Sequence, residues 1–255
     1  MRIVAGVVSV FAAAAVGTAA CGQTFTATGL GKDPGETLSA SATFTISNLD
    51  LVVALSNTGT FDPANADDIL TGIFFTLSGD PTLTPESAQV APGSLVVGHR
   101  LPLGFTGDVG SQWAYRNDLV RAPDGADEGI SSTKLKWFGT KNLFSKTKIK
   151  GFGSFNGISF GLTTADDNPD DNRGSLKNQG LIQNSVVLTF SGLPQDFTLS
   201  DISDVVFQYG TSLKQPELLC GAGGSDIAEP PTMALVAMGI LGALTASRGR
   251  RTLVY

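Results

Sequence analysis

Histidine is almost absent: His99 is the only one in 255 residues. Zinc and related sites draw several ligands from histidine and cysteine, so a lone histidine cannot build such a set by itself. Cysteine is nearly as scarce. Cys21 and Cys220 are the two, and no Cys-x-x-Cys occurs, which removes dithiol redox chemistry and zinc sites of that type. Charge is thin as well, at 16% of residues with a net of −6. There is no basic surplus to neutralise phosphates, so nucleic acid is not expected as a partner. Long helical periodicity is missing outside the two ends, and no internal repeat is visible.

What the chain does have is glycine, threonine and serine between short apolar segments. Turn signals punctuate the middle at roughly eight- to twelve-residue intervals, the spacing of an all-β sandwich or barrel. We therefore expect a single β-sandwich, jelly-roll-like, over residues 23–218. Residues 37–46 alternate Leu38, Ala40, Ala42, Phe44 and Ile46 with serine and threonine, a half-buried strand. Leu51, Val53 and Leu55 continue the alternation after a turn at Ser47-Asn48, so 38–56 reads as a hairpin. Further strands are expected at 69–77, with Gly72 as a bulge, and at 94–97, 113–115, 186–190, 197–199 and 205–209. Asp124-Gly125 and 127–129 read as turns, and 219–227 as a linker.

The two ends carry membrane-directed patterns. Arg2, the apolar stretch 3–16 and the small residues Gly17, Thr18, Ala19 and Ala20 form a secretory signal peptide, residues 1–22, with cleavage after Ala20 or Gly22. A lipoprotein signal with Cys21 acylated is the alternative. If Cys21 is retained, it and Cys220 flank the domain. A disulfide between them would close nearly all of it, worth about 4–5 kcal/mol in chain-entropy terms. Otherwise Cys220 stands single. At the other end, Glu229, Pro230 and Pro231 precede an uncharged run at 232–247, and Arg248, Arg250 and Arg251 close it. Sixteen helical residues span roughly 24 Å, slightly under a bilayer core of about 30 Å. Flanking arginines make up part of the difference and favour a cytoplasmic C-terminus. A buried core helix is the bland alternative.

Residues 228–251 resemble the PEP-CTERM sorting signal of exported bacterial proteins. Glu229 and Pro230 fit its Pro-Glu-Pro motif, Ala228 stands at the first proline, and 239–244 and the arginine tail follow its pattern. The resemblance implies exosortase as a partner, passage through the inner membrane by a helix at 232–247, and delivery to the cell surface or matrix. Asp67-Asp68 followed by Ile-Leu-Thr-Gly-Ile-Phe-Phe, with 83–84, 87–88, 186–193 and 205–211, also resembles an exosortase-dependent surface-protein group marked by an x-Asp-Asp motif. That resemblance implies a surface protein without known chemistry, associated with exopolysaccharide and biofilm. From the residues alone, Asp67 and Asp68 read as a carboxylate pair that turns or caps the chain.

Three stretches are chemical candidates. Asp166, Asn168 and Asp170 have the first alternating positions of a calcium loop. Asp171 replaces the required glycine and Lys177 the bidentate glutamate, so the choice is between a solvated acidic loop and a calcium site serving a carbohydrate-binding module. Lys146, Lys148 and Lys150 alternate, as on one strand face. They either contact an anionic exopolysaccharide or guard an exposed edge. Gly157-Ile158-Ser159-Phe160-Gly161 matches a nucleophile elbow, but His99 precedes Ser159, against the order that elbow requires. Ser159 is expected in a strand, its neighbours Ile158 and Phe160 facing the core. A cryptic hydrolase is thus the weakest reading. The sequence favours a non-enzymatic surface protein with no cofactor, or calcium at most.

Overall fold

The computed structural model describes residues 22–153, 155, 157–220 and 226–227. The N-terminal signal, Cys21 and the whole sorting signal, including Glu229, Pro230, Pro231, Arg248, Arg250 and Arg251, lie outside the described residues. Among the described residues no helix is long and apolar enough to cross a membrane.

The chain is all-β. Its strands are β1 (Gly22–Leu30), β2 (Thr37–Ser47), β3 (Asp50–Asn57), β4 (Leu70–Leu77), β5 (Thr84–Val90), β6 (Leu95–Val97) and β7 (Ala114–Arg116). There follow β8 (Glu128–Ser131), β9 (Leu162–Thr163), β10 (Leu181–Gln183), β11 (Ser185–Ser191), β12 (Ile202–Tyr209), β13 (Glu217–Leu219) and β14 (Asp226–Ile227). One sheet runs β14-β1-β2-β3-β11-β5, and the other β13-β12-β4-β9-β10-β6, with β8 and β7 attached beside β4.

The period-two pattern builds the first sheet. Leu38, Ala40, Ala42 and Phe44 of β2 and Leu51, Val53 and Leu55 of β3 are fully buried, and Phe44 pairs Val53 across the hairpin. Ser47 pairs Asp50, so the turn is the two residues Asn48 and Leu49, at φ 54° and 77°. Positive φ at both central positions is the hairpin turn whose twist matches the strands. The sheets meet face to face: Phe44 packs edge-on between Phe25 and Phe75, at 5.6 and 5.3 Å between centroids.

The second sheet departs from simple alternation, and bulges are the reason. Gly72 pairs Gln208 while Leu70 pairs Tyr209, which leaves Thr71 extra beside the glycine expected as a bulge. Gly72 has no room for a side chain, since a Cβ would lie 2.9 Å from the Ile130 carbonyl. The extra residue flips the face, so Leu70 joins Ile73, Phe75 and Leu77 in the inter-sheet core. On β12, Ser203 pairs Thr76 and Val206 pairs Phe74; Asp204, at φ 51°, marks that bulge. Phe74 and Val206 point the other way, into a second core formed with Leu119, Phe138 and Phe155. The excursion between β6 and β9 therefore covers the outer face of β4, which explains why that strand is apolar on both sides.

Several expectations change. Residues 128–129 belong to β8 rather than a turn, because β8 pairs with both β4 and β7. Residues 199–201 form a 3-10 turn closed by the Asp201 carboxylate, which accepts the Thr198 N–H at 2.7 Å; this ends the strand expected at 197–199. Both sheets reach into 217–227, since β13 pairs β12 and β14 pairs Gln23 and Thr24 of β1.

Leu49 occupies a left-handed conformation that costs a leucine about 1–2 kcal/mol. Its carbonyl still accepts the Leu193 N–H at 3.2 Å, a bond a glycine retains. Leu49→Gly is therefore expected to stabilise the fold by about 0.5–1 kcal/mol after the glycine entropy offset. The check is a raised urea midpoint at unchanged slope.

Candidate functional site

Asp67 and Asp68 sit in the 3-10 turn Ala66–Asp68 that leads into β4. Asp68 is fully buried. Its Oδ2 accepts the N–H groups of Ala64 at 3.0 Å and Asn65 at 2.8 Å. Burial raises its proton affinity, and those two bonds oppose the shift. Asp67 pairs with Lys32 at 2.9 Å and accepts a bond from the Gln215 side-chain amide. The pair thus caps a turn and ties it to two neighbouring loops. A cleft of about 700 Å³ opens beside it, between Thr28–Leu30 and 214–219, but the charges on its wall neutralise each other.

Ser159 lies in a turn, not a strand. Gly157 at φ 130° and Phe160 at φ 64° bend the backbone out of the extended region. Ile158 and Phe160 are buried as expected. The Ser159 hydroxyl donates to Gln179 Oε1 at 2.5 Å, so its partner is an amide rather than a base. His99 packs at a tilt against Phe152, ring centroids 4.5 Å apart, with Nδ1 3.0 Å from the Arg100 carbonyl.

In the acidic loop, Asp166, Asn168 and Asp170 are exposed. Asn168 is engaged locally: its backbone N–H donates to Asp62 Oδ1 at 2.9 Å and its side-chain amide to Asp171 at 2.6 Å. Among the described residues no three histidine, cysteine or carboxylate side chains gather as a metal set. The buried carboxylate of this loop is Asp167, which sequence spacing passed over as a spacer. Cys220 is half-buried, and burial pushes its thiol up to about 11.

The lysines form a second exposed polar surface. Residues 145–150 are irregular rather than a strand. Ser145 holds this shape, its N–H donating to the Gly110 carbonyl and its hydroxyl accepting the Thr147 N–H at 3.1 Å. Edge-strand protection therefore does not apply. Lys146, Lys148 and Lys150 are exposed while Ile149 is buried. Lys146 and Lys148 join Lys141 around a cleft of about 400 Å³ that Leu143, Phe155 and Ser111 also line. Ser111 Oγ is buried there without a hydrogen-bond partner. Among the described residues no carboxylate pairs with these three lysines. Ammonium groups on the rim beside an apolar wall can hold an anion that also presents an apolar face. Lys141, Ser111 and Phe155 were not legible as site residues, because no periodicity links them.

Compared with protein-family models, curated proteins and solved structures, the chain matches none.

One buried pair has a pH consequence. Glu128 is 1% exposed and accepts the Tyr115 hydroxyl at 2.5 Å. Burial is the main cause that raises its carboxyl to about 7, with the tyrosine bond opposing it. A carboxyl raised in the folded state gives stability that is full at low pH and is lost as pH rises through the folded value. Between about pH 4.5 and 7 the wild type should therefore lose stability, by a few kcal/mol at most. Glu128→Gln should flatten that slope and be the more stable form above pH 7, measured by urea unfolding across the range.

Proposed function

We propose that this chain is a non-enzymatic, exported surface or matrix protein that associates with anionic exopolysaccharide. In this reading the signal at 1–22 takes it across the inner membrane. The segment 228–251 is then read by exosortase, with 232–247 as the membrane helix. The domain between them is a jelly-roll-like sandwich, a reading supported by the chain's repeated passage between sheets at β3–β4, β4–β5 and β11–β12. The last described strand, Asp226–Ile227, lies at the edge of its sheet beside β1. The observation that carries the ligand class is the cleft rimmed by Lys141, Lys146 and Lys148 beside Leu143 and Phe155.

Binding is tested with an immobilised uronic-acid polysaccharide against neutral dextran. The wild type should retain on the acidic polymer and elute with salt, since exposed charge pairs are screened. Lys141, Lys146 and Lys148 changed together to serine should weaken binding about tenfold or more, at up to about 1 kcal/mol per exposed pair. Equal retention on both polymers, or no loss in the triple variant, overturns the ligand assignment.

Sorting is tested by intact-mass measurement of the protein recovered from the producing cell. The mature chain should begin after Ala20 or Gly22 and lack the segment beyond Pro231. Glu229→Ala, or glutamine at Arg248, Arg250 and Arg251, should leave the tail in place. A wild-type chain recovered at full length from the cytoplasm counts against export.

A further inference from the structure

The acidic loop and the loop before β4 are clamped together. Thr164 Oγ1 donates to the Phe61 carbonyl at 2.7 Å, and the Asn168 N–H reaches Asp62 Oδ1 at 2.9 Å. From β10, Gln183 Nε2 donates to the Ala165 and Asp167 carbonyls at 2.7 and 3.3 Å. These bonds fix the backbone around Asp167 and turn its side chain inward. Asp167 is 5% exposed, Asn172 9% and Thr163 fully buried.

The polar atoms collected there are unspent. Neither carboxylate oxygen of Asp167 has a hydrogen-bond partner, nor has Thr163 Oγ1, nor either polar atom of the Asn172 amide. Thr163, Asn172 and Asp62 stand close enough to the Asp167 carboxylate to alter its proton affinity, yet none reaches hydrogen-bond geometry with it. Among the described residues no lysine or arginine pairs with it. A buried carboxylate without a partner costs several kcal/mol, and two neighbouring polar side chains left unused in the same place, Thr163 and Asn172, add to that.

We propose that Asp167, Asn172, Thr163 and Asp62 hold a calcium ion that ties the 166–172 loop to the loop preceding β4. Asp167 offers two oxygens, and Asp62, Asn172 and Thr163 one each. Calcium takes six to eight at irregular angles, so water completes the shell. Carboxylate, amide and hydroxyl donors without histidine or cysteine are a hard-oxygen set, unsuited to zinc or copper. Magnesium demands near-octahedral ligands and keeps its own water. Asp62 is exposed and gives the ion a path from solvent. This site is distinct from Asp166, Asn168 and Asp170, whose side chains face water. It does not depend on the lysine cleft or on the sorting reading.

The test is thermal unfolding of the mature chain at pH 7.5 in EDTA, in 10 mM calcium chloride and in 10 mM magnesium chloride. A site of about 1 mM affinity, usual for extracellular modules, raises the midpoint by about 3–6 °C in calcium over EDTA. Asp167→Asn should abolish the rise, and in EDTA it should melt at or above the wild type because the buried charge is gone. Asn172→Ala should reduce the rise, and Asp170→Asn should leave it intact. No rise in wild type, or an equal rise in Asp167→Asn, overturns the site. An equal effect of magnesium overturns the calcium assignment.

Discussion

The apposition of two twisted sheets through their aromatic inner faces is the constraint on which the rest depends. Phe25, Phe44 and Phe75 form a continuous edge-to-face column from β1 through β2 to β4. Phe190 of β11 extends the same layer to Tyr115 and Phe144, at 4.8 and 5.1 Å. Ring pairs of this kind add about 0.5–1.5 kcal/mol each to the area they bury.

The excursion between β6 and β9 shows how a sandwich gains a surface with chemistry. Its own strands are short, β7 and β8, and they attach to β4. It packs on Phe74 and Val206 from outside. Gly129 lies where a Cβ would come within 3.0 Å of Leu119, Phe138 and Phe74, so the layer closes tightly on the sheet. A chain held this way needs no regular secondary structure, and its irregular return past 145–150 leaves the lysines on the outer rim. A second irregular return, at 164–172, buries one carboxylate instead. The cleft and the proposed ion site are products of the same device, loops clamped onto a strand framework by side-chain bonds to backbone carbonyls.

Much of the framework was legible because period-two patterning acts locally. The alternation at 38–46 and 51–55 placed the hairpin, and Gly72 marked the bulge on β4. Strand β1 was missed because Thr24, Thr26 and Thr28 alternate with only a modest apolar set, and β5 because Pro85 and Glu86 interrupt its pattern. Lys146, Lys148 and Lys150 alternate as a strand would, but among the described residues no strand pairs with them, and alternation without a pairing strand does not make one. In the acidic loop spacing singled out Asp166, Asn168 and Asp170, which are exposed, and passed over Asp167, which is buried. Which of these side chains turns inward depends on the bonds to Asp62 and from Gln183, residues distant in the chain.

The sequence by itself determined an all-β chain, the central hairpin and the turn-capping role of Asp68. Each follows from neighbours along the chain, where backbone geometry alone relates one residue to the next. Tertiary structure decided which face each half of β4 and β12 presents, because one inserted residue reverses every side chain beyond it. It also decided which distant side chains come together: Lys141 with Lys146 and Phe155, and Asp62 with Thr163, Asp167 and Asn172. Those meetings depend on how loops fold back across a finished sheet, and no periodicity in the chain records that path.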